Sequence, residues 1–162
     1  MKLDLHQKLP ARASPDKARG GTLAEFAIIL PLLVALIFGV IDFARALYTY
    51  HFISDAAREA TRWASVRGSS CDGLEACPAQ TSDVSAYVAG IAPPGIDKSS
   101  SKLSVNTEWV PPPNALKICA TQPKSPGCDV QVTVRYRFNF ILPFLPSAGY
   151  AMQSTAEMVI SQ

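Results

Sequence analysis

One carboxylate, Glu25, stands at the mouth of an apolar run and five residues after Gly20. The stretch reads Arg19-Gly20-Gly21-Thr22-Leu23-Ala24-Glu25-Phe26 and then continues through Ala27-Ile28-Ile29-Leu30-Pro31-Leu32-Leu33 to Ile41. Charge at membrane depth is disfavoured by roughly 2.5–3.5 kcal/mol at the centre and by less near the edge. A plain anchor would carry Leu or Ala there. The carboxylate asks for a cationic partner, and a newly made N-terminal amine would supply one. The chemistry suggested is peptide cleavage by another protein, followed by charge pairing in a low dielectric. The competing reading is a polar residue that marks a helix start and is favoured by the helix dipole.

Four cysteines form the second set of reactive residues. Cys71, Cys77, Cys119 and Cys128 all lie downstream of the apolar run. An even set confined to one side of a membrane suggests disulfides in an oxidising compartment. Zinc and free thiols compete with that reading. Spacers of five and eight residues are not knuckle spacing, and no His lies beyond His51. Three pairings are open; the two local ones, Cys71–Cys77 and Cys119–Cys128, would each clip a loop.

Catalytic machinery is missing from the sequence. There is no Gly-rich phosphate loop and no Ser-His-Asp order, and Asp83, Asp97, Glu108 and Asp129 are dispersed. The expectation is a non-enzyme with no metal and no cofactor. A net charge of +2 over 162 residues makes no case for nucleic acid.

Phe26 to Ile41 is 16 residues, about 24 Å as a helix and slightly short of a roughly 30 Å bilayer core. Continuing through Tyr48 closes the gap. Asp42 and Arg45 then fall three apart on one helical face, able to pair near the far interface. Tyr48 and Tyr50 lie where amphipathic aromatics prefer to sit. Pro31 should bend the helix or free a carbonyl. Beyond the anchor, Tyr50, Ile53, Ala57, Ala60 and Ala64 recur at helical spacing, and Gly68-Ser69-Ser70 ends the run. This predicts one helix from about Leu23 to Arg67, with an anchor plus a separate amphipathic helix as the alternative.

The stretch from residue 19 to 67 resembles the prepilin leader and spine of type IV pilin-like proteins. The closer likeness is to the TadE-like pseudopilins of the tight-adherence (Flp pilus) system. Their processing site is Gly, four variable residues, then Glu-Phe; here Gly20, Gly21 to Ala24, and Glu25-Phe26. The likeness continues through Phe38-Gly39-Val40-Ile41-Asp42-Phe43-Ala44-Arg45-Ala46-Leu47-Tyr48 and Asp55-Ala56-Ala57-Arg58-Glu59-Ala60-Thr61-Arg62. The resemblance implies cleavage after Gly20 by prepilin peptidase, leaving Gly21 first and Glu25 fifth. It further implies that Glu25 neutralises the amine of a neighbouring subunit. Partners would be other pilin and pseudopilin subunits, the inner-membrane assembly platform and the lipid bilayer. The role would be tight-adherence pilus assembly, hence surface adhesion and biofilm formation.

Three segments are therefore expected: a basic leader 1–20, a transmembrane and spine helix 21–67, and an extracytoplasmic domain 68–162. The leader carries Lys2, Lys8, Arg12, Lys17 and Arg19 against Asp4 and Asp16, a net +3, which favours a cytoplasmic N-terminus at the bacterial inner membrane. Arg45, Arg58, Arg62 and Arg67 weaken that signal, and the cysteines restore it. In the outer domain, Gly68 to Gln80 reads as a cysteine-clipped loop and Ser82 to Ile91 as a short helix with Val84, Tyr87, Val88 and Ile91 on one face. Leu103 to Val110 reads as a strand stopped by Pro111-Pro112-Pro113, and 114–127 as a surface loop. Val130 to Phe140 alternates without a break over eleven residues, the pattern of an antiparallel strand with one wet face bearing Arg135 and Arg137. Pro143 and Pro146 break the chain around apolar Ile141 to Leu145, and Met152 to Ile160 forms the last strand. The fold class is α+β, a long N-terminal helix packed on a small antiparallel sheet, as in pilins. The alternative is a secreted or anchored soluble binding domain, with Ala44-Arg45-Ala46 as an ordinary signal-peptide site.

Overall fold

The computed structural model describes residues 16–110, 117–142 and 149–162. The leader residues Lys2, Asp4, Lys8 and Arg12, the Pro111-Pro112-Pro113 stop, and the Pro143 to Pro146 segment with Phe144 and Leu145 lie outside them. The elements are α1 (Asp16–Ser65), α2 (Thr81–Ile91), β1 (Leu103–Val110), α3 (Lys117–Thr121), β2 (Asp129–Phe138) and β3 (Tyr150–Val159). The chain divides into two compact units, Met1–Gly39 and Val40–Gln162.

Among its described residues, the first unit is the early part of α1. The helix passes through Pro31 without interruption. It also begins earlier than the sequence suggested, at Asp16 rather than Leu23, and takes in Gly20-Gly21. Two glycines inside a helix cost about 1 kcal/mol each relative to Ala, and the apolar run beyond them propagates the helix. Its side chains are laid open: Leu23, Phe26, Ile28, Ile29, Leu32, Leu33 and Leu36 are all exposed. The helix is long and apolar enough to cross a membrane, which supports a single-pass anchor here.

The second unit closes a core. β2 is central, antiparallel to β1 on one side and β3 on the other, with Thr107 opposite Val132 and Thr133 opposite Thr155. Val130, Val132, Val134, Tyr136 and Phe138 turn inward as alternation predicted. Ile53, Ala56, Ala57, Ala60 and Ala64 of α1 join them in one buried cluster. Small side chains let the helix approach the sheet closely. Thr61, also buried, satisfies its hydroxyl by donating to the Ala57 carbonyl at 2.7 Å and the Ala156 carbonyl at 3.3 Å. Tyr50 departs from the expected stripe: it is exposed, and Thr49 is buried in its place. Spacing from Ile53 fits either residue, and only the four-residue step back to Thr49 lies over the sheet. Thr49 meets its need locally, donating to the Arg45 carbonyl.

α1 ends at Ser65, two residues short of the expected Arg67. Gly68 permits the close approach that follows: a Cβ there would run into the carbonyls of Gln162 and Lys124 and the Ile160 side chain. Ser161 donates its N–H to the Ser65 carbonyl at 2.9 Å, and Ser69 to that of Lys124 at 2.8 Å. α2 is held to α1 through Trp63 stacked on Tyr87, with centroids 5.0 Å apart, and through the Tyr87 hydroxyl donating to Glu59. Val84 and Val88 are buried while Ile91, expected on the same face, is exposed, because it occupies the last turn. The expected loop 114–127 contains the five-residue α3, which is too short to show a period. The outer face of the sheet is polar, with Thr133 against Thr155 and Arg135 donating to Gln153.

Candidate processing and assembly site

Gly20, Gly21, Glu25 and Phe26 follow one another along α1 in the first unit. Gly21 stands in open space, where an added Cβ would meet nothing within 4 Å. Glu25 is one turn beyond Gly21, on the same helical face, and it is exposed. It forms no ion pair with any described residue. Around it Leu23 is 70% and Ile28 74% exposed. A lone carboxylate on an uncovered apolar cylinder can accept a cation from outside the chain, and nothing in the described residues competes for it.

Asp42 and Arg45, which belong to the second unit, are brought together at 2.8 Å. The rest of this arrangement leaves no signal in the sequence. Asp42 is buried, 2% exposed, and its second oxygen accepts the backbone N–H groups of Ile141 at 2.8 Å and Leu142 at 3.0 Å. The carboxylate thus fastens the chain leaving β2 onto the helix. Arg45, half exposed, also lies over the Phe138 ring at 5.3 Å. Ile141 and Leu142 were missed because they donate main-chain groups from 99 and 100 residues away, a separation at which no periodic signal exists.

The cysteines form the two local disulfides. Cys71–Cys77 closes the loop after α1 with Cα atoms 5.9 Å apart, and Cys119–Cys128 ties α3 to the start of β2 at 5.6 Å. No free cysteine is left, which removes the zinc and free-thiol readings. Lys124, between the second pair, donates to the Ala79 carbonyl at 2.7 Å and lies 4.9 Å over the Trp109 ring. Burial there lowers the pKa of its ammonium, against the opposing pull of Asp83. Among the described residues no group of three or more His, Cys, Asp or Glu is placed to hold a metal.

The family model described as "TadE-like protein" matches residues 20–62. No curated protein matches the chain, and neither does any solved structure. The matched stretch opens on Gly20 and contains Glu25, Phe26, Asp42, Arg45 and all of the alanine stripe but Ala64; the disulfides and the sheet lie beyond it. Over residues 20–62, about a quarter of its length, the chain is similar to the TadE-like family.

Proposed function

We propose that the protein is a membrane-anchored minor pilin or pseudopilin that acts in assembling tight-adherence pili for surface attachment. The observation that carries this reading is Glu25, an exposed carboxylate heading an uncovered apolar helix, five residues after a glycine and inside the TadE-like stretch. Prepilin peptidase removes residues 1–20, and the new amine of Gly21 becomes available to the Glu25 of a neighbouring subunit. In a low-dielectric bundle such a pair is worth far more than in water. Residues 21–67 serve as anchor and spine, with the Asp42–Arg45 pair near the outer interface, and residues 68–162 form the extracytoplasmic domain. The two disulfides support that orientation, because they persist only in an oxidising compartment. The site is the bacterial inner membrane, where pilin subunits and the assembly platform are the partners.

The test is the N-terminus of the mature protein, sequenced from membranes and from the medium. A start at Gly21 is expected. A start at Leu47 would identify a secreted domain, and an intact Met1 a plain anchor; either would overturn the reading. Glu25→Ala should abolish assembly while leaving membrane insertion intact.

A further inference from the structure

We propose that a hollow of about 290 Å³ in the second unit, lined by Arg45, Tyr48, Lys102, Tyr136, Phe138 and Asn139, binds the phosphate of an anionic phospholipid. Its place on the helix sets the depth. Val40 and Ile41 close the apolar run, and Arg45 follows one turn later, about 6 Å farther along the axis. That is headgroup level for a helix whose apolar residues fill the bilayer core. Ile141, tied by its N–H to Asp42, stands at the same end and is 53% exposed, an apolar neighbour suited to acyl chains.

The chemistry of the lining fits a phosphodiester. Arg45 uses Nη1 on Asp42 and rests its guanidinium on Phe138, so its plane is fixed while further N–H donors stay available. Lys102 has only a long contact, 3.8 Å, to Asp97. The acidic neighbours are accounted for. Asp42 spends both oxygens on Arg45, Ile141 and Leu142, and Asp97 accepts the Ser99 N–H; neither lines the hollow. Tyr48 and Asn139 supply neutral polar groups. The Tyr136 and Phe138 rings form a wall for the glycerol carbons. Basic pockets beside membrane helices are a known means of holding acidic headgroups.

A free phosphate ester offers the same chemistry, so the experiment separates the two sources. The full chain, in neutral detergent, is titrated with phosphatidylglycerol, phosphatidylcholine or glycerol 3-phosphate, reading lipid retention by native mass spectrometry and thermal midpoint. Phosphatidylglycerol should be retained and should raise the midpoint, and phosphatidylcholine should not. Lys102→Gln should weaken retention about tenfold, the size of one charge-assisted hydrogen bond, and Lys102→Arg should restore it. Protection by glycerol phosphate that Lys102→Gln removes would support the phosphate site and make soluble esters its source. Equal retention of both lipids, or a Lys102→Gln protein that binds like the parent, would overturn the proposal. The inference rests on the membrane-anchored reading of α1 but not on filament assembly. Glu25→Ala should leave lipid retention unchanged, so the two readings fail separately.

Discussion

The same helix obeys opposite rules in the two units. Before Gly39 its large side chains, Leu23, Ile28 and Leu32 among them, are exposed; after Thr49 its buried positions are mostly alanine and threonine. In water, large apolar residues go inside and small ones are indifferent. The inversion teaches that two different media select the residues. The first stretch is matched to lipid, where Leu has no reason to hide. The second is matched to a sheet at close range, where size decides and a methyl group fits.

The contrast breaks most sharply where closeness is tightest. Ala60→Leu, at a fully buried position, and Gly68→Ala, blocked by two carbonyls, should each cost about 3 kcal/mol. Urea unfolding of the full chain in detergent, followed by Trp63 and Trp109 fluorescence, would show it. Losses below about 1 kcal/mol would mean the helix stands farther from the sheet. Replacing Cys119 and Cys128 together by Ser should cost about 2–3 kcal/mol through the freed loop, read by the same assay with the reduced parent as control. Asp42→Ala should cost about 2 kcal/mol, since two N–H groups lose their acceptor. Asp42→Asn, which keeps an acceptor oxygen, should cost about half that, and hydrogen exchange at Ile141 and Leu142 would report the difference. Leu32→Ala should leave unfolding of the second unit within about 0.5 kcal/mol of the parent, because no described residue covers it.

The smallest effect expected is a dependence on pH. Asp97 has its pKa lowered, chiefly by the Ser99 backbone N–H, then by the Ser99 hydroxyl, and less by Lys102. A depressed carboxylate pKa gives stability that is present above the ordinary value of 3.8 and is lost as pH falls through the depressed one. The 97–102 turn should therefore loosen at acid pH, and Asp97→Asn should flatten that response in amide exchange.

Periodicity made β2 and the alanine stripe legible. Val130 to Phe138 declare one buried face, and the count of four cysteines held the pairings to three, of which the one with both local bridges forms. Glu25 stands out in the sequence for the opposite reason, as a residue that its surroundings make expensive. The Asp42 fastening was not readable, because its partners are backbone groups whose side chains carry no information about it. Nor was α3, five residues beside a disulfide, or the exchange of Tyr50 for Thr49, where two positions satisfy one spacing and only the sheet's location decides.

Asp42 also has a mechanical consequence. A force drawing α1 along its axis passes into the sheet at two ends of one contact. At one end Asp42 grips the chain leaving β2; at the other the Ser65 carbonyl grips Ser161, just beyond β3. Loaded along the helix, both sets of bonds share the pull. The second unit should resist a pull on its part of α1 from both ends at once, and cutting Asp42 should let it open first at Ile141.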